Sequence, residues 1–277
     1  MKSYLYKGAK TVKLGKFLSE MMPGLSFSSF KRLLSDGRVK VNSKRVKKEI
    51  YVNPGDTVEV YGADGAPSFR SESVYEDDNV LLAVKPRGIE TKNFAVLVSE
   101  ERGTQFIPVH RLDTNTGGIV MLAKSEAAFR AAVELFKKHL VDKEYMALLC
   151  GAPEKNGVYT AYLKKDPKQG VVEVAAVKKP GFEEIKTGIE LVEMRDAEIA
   201  LCRIKLYTGK THQIRAHTAF LGHPVLGDTK YGNFELNRLS RAKRQYLTAV
   251  KLSFGSIPKG NILSALSGKS FEIPCDF

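Results

Sequence analysis

The sequence is short of cysteine, histidine and acidic residues, and it has no tryptophan. Its three cysteines, Cys150, Cys202 and Cys275, stand far apart with no Cys-x-x-Cys spacing. That excludes a disulfide framework and a cysteine zinc site, and predicts buried or incidental thiols. Long apolar runs are missing too. The stretch Val80–Val84 falls far short of the ~20 residues needed to span a bilayer. The opening MKSYLYKGAKTVKLGK holds no apolar stretch before a small-residue cleavage site, so no secretory signal is expected. No internal repeat or low-complexity tract is visible. These absences predict a soluble, cytoplasmic protein with no membrane partner. Hydrophobic residues, at 43%, suffice for a core and exclude wholesale disorder.

Positive charge is abundant and uneven. Lys and Arg number 44 against 31 Asp and Glu, a net charge of +13. Residues 1–60 hold 13 of those basic residues and five of the acidic ones, a local excess of +8. A solubilising surface explains charge alone equally well, but its concentration in one segment sharpens the case for a polyanionic partner.

Within that segment Leu14, Phe17, Leu18 and Met21 recur at helical spacing, with Pro23 and Gly24 as a stop. Ser28 or Ser29 is a plausible cap for a second helix carrying Phe30, Leu33 and Leu34, with Gly37 beyond its end. Arg38–Val41 and Arg45–Lys47 alternate apolar and basic residues around a turn at Asn42-Ser43, so one face packs while the other presents cations. Asn53-Pro54-Gly55-Asp56 is a turn into a closing strand, Thr57–Tyr61. Exposed Lys31, Arg32, Arg38, Lys40, Lys44 and Arg45, with Lys47 and Lys48, suit phosphate contacts, which position nucleic acid without reading its sequence.

Residues 62–73, GADGAPSFRSES, read as a flexible linker and domain boundary. From Val74 onward strands dominate: Val80–Val84, Gly118–Ala123, Tyr145–Cys150, a hairpin of Ile189–Glu193 with Ala197–Leu206, Leu247–Phe254 and the terminal FEIP. One helix carries Phe129, Ala132, Val133 and Phe136 behind a Ser125 cap. Another runs from a Thr211 cap through Phe220. The succession of hairpins predicts an α+β domain with mainly antiparallel pairing, not a doubly wound parallel sheet.

Two stretches carry polar residues that neither core nor turn requires. In PVHRLDTNTGG (108–118), Asp113 precedes a Gly-Gly turn into a strand, an arrangement that can offer a carboxylate to a ligand. An isolated Asp in that place is more simply a turn cap. In LYTGKTHQIRAH (206–217), Ile214 and His217 share a helix face and Arg215 turns away. That guanidinium can pair with a carboxylate from elsewhere and hold it ionised, or be an ordinary surface Arg. His212, His217 and His223 lack metal-site spacing and an acidic partner, so no metal is expected. The Gly209-Lys210-Thr211 string lacks the earlier glycine of a phosphate-binding loop, position 204 being Ile, which excludes a nucleotide hydrolase.

The string LGKFLSEMMPGLSFSSFKRLLSDGRVKVNSKRVKKEIYVNPGDTVEVY resembles the small RNA-binding domain of ribosomal protein S-four over residues 11–61. HRLDTNTGG is close to the HRLDxxTSG of RluA-type RNA pseudouridine synthases, and the pair Gly117-Gly118 stands where that form has Ser-Gly. LYTGKTHQIRAHTAFLGHPVLGDTKYG matches that family nearly throughout. Lys143-Glu144-Tyr145-Met146-Ala147 looks like its KxYxA strand, and VYEDDNVLLAVKPRGI and QYLTAVKLSF fall in family order. The likeness spans residues 74–277.

The resemblance implies isomerisation of a uridine within RNA, without redox change or net hydrolysis, and hence without cofactor or metal. It makes Asp113 the reacting carboxylate and Arg215 its partner. Tyr145 would stack on the uracil, Arg111 would enter the space that the base vacates, and Ile214 would pack beside it. His110, Thr116 and Lys143 belong to the same motifs as substrate contacts. The implied partner is RNA, ribosomal RNA in preference to transfer RNA, and the simplest assembly is a monomer.

Overall fold

The structure, a computed structural model, describes residues 1–22, 25, 27–61, 69–166 and 170–277. Pro23, Gly24 and positions 62–68 of the expected linker lie outside the described residues. The chain divides into two compact units. One comprises Met1–Ser71 with Gly88–Phe106, the other Glu72–Arg87 with Ile107–Phe277.

The first unit runs β1 (Lys2–Leu5), β2 (Val12–Lys13), α1 (Leu14–Met21), α2 (Phe27–Ser35), β3 (Val39–Val41), β4 (Lys44–Val46), β5 (Tyr51–Val52), β6 (Thr57–Val60) and α3 (Thr91–Arg102). Its main sheet has the order β1-β6-β3-β4. Leu14, Phe17 and Leu18 of α1 are buried with Phe30 and Leu34 of α2 against Val39, Val41, Val46, Val58 and Val60. The alternation read from sequence thus places the valines inward. Asn42 and Ser43 both take positive φ, 48° and 66°, as a two-residue hairpin turn between right-twisting strands requires. Helix α2 starts at Phe27, so Ser28 and Ser29 lie in its first turn. Helix α3 had no sequence reading. Phe94, Ala95, Leu97 and Val98 bury its apolar side, the Phe69 ring meets Phe94 edge-on at 5.8 Å, and the Ser71 N–H donates to Glu101.

The second unit is an α+β domain on an eleven-stranded sheet. Its strands are β7 (Glu72–Glu76), β8 (Val80–Lys85), β9 (Ile107–Pro108), β10 (Gly117–Ala123), β11 (Val141–Cys150), β12 (Gly157–Asp166), β13 (Val171–Ala175), β14 (Glu183–Met194), β15 (Ile199–Leu206), β16 (Leu247–Phe254) and β17 (Ser270–Glu272), with helices α4 (Glu126–Lys137), α5 (Gln213–Phe220) and α6 (Phe234–Leu239). The path is β13-β12-β14-β15-β11-β16-β10-β8-β7, with β17 on β16 and β9 on β10. Pairing is antiparallel except between β10 and β16. Every residue of β10 is buried, as its unbroken apolar run requires of a strand covered on both faces. Ser125 caps α4 by accepting the Ala128 N–H, and Ala128, Ala132 and Leu135 pack on Val80, Leu82, Ile119 and Met121.

Candidate active site

The site gathers at mid-sheet, where β10, β16 and β11 lie side by side. Gly118 pairs with Ala249, and Ala249 pairs with Tyr145. Gly118 has φ 114°, and a Cβ there would lie 2.1 Å from the Ala249 carbonyl oxygen, so only glycine lets β10 approach β16 this closely. At Gly117, where the resembling motif has serine, a Cβ would meet only the Arg87 side chain, at 3.3 Å. On the other flank a bulge between Glu144 and Tyr145 shifts the β11–β16 register and re-aims the Tyr145 ring.

The loop that carries Asp113 enters β10 under several restraints. The Thr116 N–H donates to the Asp113 carbonyl at 3.0 Å. Gln245 Nε2 donates to Thr116 Oγ1 at 2.9 Å, and both side chains are buried. Lys85, fully buried at the end of β8, donates from Nζ to the Pro86 and Thr114 carbonyls at 2.9 and 3.3 Å. Burial pulls this ammonium down to about 8, against the favourable charge of Asp113. Lys85 stands just before Pro86 and looks like a turn residue in sequence; the structure makes it a post beneath the loop. Thr116, expected to touch RNA, is a buried hydrogen-bonded support instead.

Arg215 connects this loop to two other segments. Its Nη1 donates to Asp113 Oδ2 at 2.8 Å, while Nε and Nη2 fork onto Asp228 at 2.6 and 3.0 Å. Arg215 is 8% exposed and Asp228 is 0% exposed. Burial works against the Arg215 charge, but the hydrogen bonds and negative charge of Asp228 and Asp113 outweigh it and hold its pKa up. Burial likewise opposes ionised Asp228, yet Arg215 and the N–H groups of Lys230 and Tyr231 keep its carboxyl low. Asp228 is the main residue that sequence reading missed. Nothing in the GDTK string distinguishes it from a turn aspartate. Helix α5 is buried on all sides from Gln213 to Thr218, so Arg215 is not turned outward as the helical face suggested. Thr211 does not cap this helix; His212 holds the cap position at φ 53° with no side-chain cap bond.

The other expected site residues separate into two groups. Tyr145 is buried on the site floor, and burial, then the charge of Asp113, pushes its hydroxyl pKa up. Ile214 is buried in α5, and Arg111 is exposed at the loop. His110 accepts the Met121 N–H at Nε2 and stacks on Phe136 with centroids 5.1 Å apart, so it fastens the loop to β10 instead of reaching for RNA. Lys143 lies over the same Phe136 ring at 5.7 Å, and burial lowers its pKa. In the first unit Lys31, Arg32, Arg38, Lys44 and Arg45 are exposed. Lys40 is half-buried over the Tyr61 ring at 4.9 Å, which gives it a packing role. Among the described residues, no three His, Cys, Asp or Glu side chains gather as metal ligands.

Burial lowers the pKa of His110 to about 3 and of His217 to about 4. Unfolded chains bind these protons near 6.5, so between 6.5 and about 4 the unfolded state binds more protons and stability falls as pH falls. Melting temperature is expected to drop across that window, and His217→Asn to flatten the slope. Equal slopes for wild type and variant contradict this assignment.

The sequence profile of RNA pseudouridylate synthases matches residues 74–220, and that of the S4 domain residues 12–58. An uncharacterized RNA pseudouridine synthase homolog of Mycoplasma pneumoniae is 30% identical over 302 residues, covering 96% of this chain and 92% of the relative. The ribosomal large subunit pseudouridine synthase C of Escherichia coli is 31% identical over 285 residues, covering 91% and 87%. The solved human RNA pseudouridylate synthase domain containing 1 shares the fold, with a TM-score of 0.62 at 24% identity over 76% of this chain and 85% of that one. No helix among the described residues is long and apolar enough to cross a membrane. A profile match over more than half of the chain, together with relatives matched nearly end to end, places this protein in the RNA pseudouridylate synthase family, as an RluA-type enzyme with an N-terminal S4 domain that isomerises uridine in RNA.

Proposed function

We propose that the enzyme modifies uridines of large-subunit ribosomal RNA in the cytoplasm, as a monomer and without a cofactor, and that Asp113 is its reacting carboxylate. Residues 74–277, apart from Gly88–Phe106 which belong to the first compact unit, would be the catalytic domain, residues 1–61 an RNA anchor and residues 62–73 the linker, whose last two residues open β7. The observation that carries the assignment is the 2.8 Å bond from Arg215 to Asp113, with Arg215 itself clamped on buried Asp228. A carboxylate fixed on one oxygen is oriented before the substrate arrives. The E. coli relative, named for the ribosomal large subunit, favours that RNA over transfer RNA.

The chemistry follows from that geometry. A paired uridine leaves its stack at a cost of a few kcal/mol, with exposed Arg111 placed to enter the gap. Asp113 attacks the ribose C1′ or takes a proton from C2′, and the C1′–N1 bond breaks with its electron pair on the uracil. The base turns on the Tyr145 ring and C5 bonds to C1′, as the Asp113–C1′ ester bond breaks in the first route or C2′ regains its proton from Asp113 in the second; the C5 proton is then lost as N1 gains one. An RNA tritiated at uracil C5 therefore releases tritium to water at each turnover. Release of free uracil would point to hydrolysis and contradict the proposal.

The basic face of the first unit supports phosphate anchoring. Replacing Lys31, Arg32, Lys44 and Arg45 by Gln is expected to weaken RNA binding at low salt. It should also flatten the log–log salt dependence by about one unit for each phosphate that is no longer neutralised. Filter binding between low and moderate salt checks this, and an unchanged slope contradicts it.

A further inference from the structure

We propose that His212 contacts the substrate, its Nε2–H donating a hydrogen bond to the uracil oxygen on which charge builds as the C1′–N1 bond breaks. This rests on the reading of Asp113 given above. Three observations point the same way. The first is backbone strain: His212 holds φ 53°, a left-handed conformation costly for a side chain of this size, at a helix start that it does not cap.

The second is the locking of the ring. His212 Nδ1 lies 2.9 Å from the Tyr231 hydroxyl, whose oxygen accepts the Val172 N–H at 2.9 Å. The Val172 N–H occupies one acceptor position of that oxygen and leaves the tyrosine proton for Nδ1, so we take Nδ1 as the acceptor and place the ring proton on Nε2. The Tyr231 ring is fixed in turn beneath the Arg215 guanidinium at 5.3 Å.

The third is where Nε2 points. It lies 4.0 Å from Asp113 Oδ2, beyond hydrogen-bond range but close enough to serve a ligand that the carboxylate also reaches. The side chain is 16% exposed. Asp113, Arg215, Lys230 and Asp228 surround the ring electrostatically, and burial keeps its pKa below the ordinary value. A neutral donor suits this place, because an imidazolium would pair with Asp113 and blunt it. No proton leaves His212: the electron pair of the broken bond resides on the uracil until the C1′–C5 bond forms, and the hydrogen bond stabilises that anion.

The test uses the full-length enzyme and a C5-tritiated large-subunit ribosomal RNA transcript under single turnover. Asn tolerates left-handed backbone but its amide stops short of the Nε2 position, whereas the longer Gln amide reaches it. His212→Asn is expected to slow tritium release about a hundredfold without weakening RNA binding, and His212→Gln to recover at least tenfold of that loss. A His212→Asn rate near wild type, equal slowing in both variants, a loss confined to RNA affinity, or failure of both variants to fold each overturns the proposal. Asp113→Asn run in parallel separates the two claims. If it retains activity, the site reading fails. If it is inactive while His212→Asn is normal, only the role of His212 fails.

Discussion

Asp113→Asn is expected to lower the single-turnover rate on the order of 10⁴-fold while RNA affinity stays near that of wild type. The substitution keeps size and shape but removes the charge that either route requires, attack at C1′ or proton removal at C2′. The loop does not depend on that charge. Its carbonyl accepts the Thr116 N–H, Gln245 holds Thr116, and Lys85 holds Thr114 from below. The amide oxygen introduced by Asp113→Asn can still accept from Arg215, which keeps its fork onto Asp228. Thermal melting is therefore expected to change little, and the variant separates chemistry from folding. Filter binding with C5-tritium release reads both quantities, and release at a rate near wild type contradicts the assignment.

Arg215→Met is expected to have the second largest effect, on stability as well as turnover. It leaves Asp228 fully buried with no countercharge, and breaking a buried pair in this way costs about 3–5 kcal/mol. The sign of the pH dependence is diagnostic. In the native enzyme Asp228 is held below its unfolded pKa, so its stabilisation is present at neutral pH and lost as pH falls through the folded value. Without Arg215, burial, the largest influence on this carboxyl, is opposed by the Lys230 and Tyr231 N–H groups alone, and the pKa is expected to rise above the unfolded value. The variant then binds a proton on folding, and its deficit relative to wild type shrinks as pH is lowered from neutral. Arg215→Lys does not restore the site, because one ammonium cannot fork onto Asp228 and also reach Asp113. Denaturant unfolding at several pH values checks this. A deficit that grows toward acid contradicts it.

The relation between sequence and site explains why some residues were legible and others were not. Asp113 and Arg215 lie in strings that resemble a known family, and Ser125 caps a strongly amphipathic helix, so local pattern sufficed. Helix α5 misled because it is buried on every side, and a face argument needs one wet face. Asp228 and Lys85 look like turn residues in sequence. Their roles come from partners far along the chain, at Arg215 and Thr114, which no local spacing encodes. Ser28 and Ser29 suit the first turn of a helix as well as its cap, so the start of α2 was ambiguous by residue type.

The central claim is that a carboxylate at position 113, oriented by Arg215, detaches a uracil and re-joins it through carbon. Nucleotide-resolution mapping of pseudouridine in large-subunit ribosomal RNA tests it most directly, in cells lacking the protein and in cells given back either the wild type or Asp113→Asn. Specific pseudouridines are expected to vanish with the protein, return with the wild type and stay absent with Asp113→Asn. Their return with the Asn variant contradicts the claim.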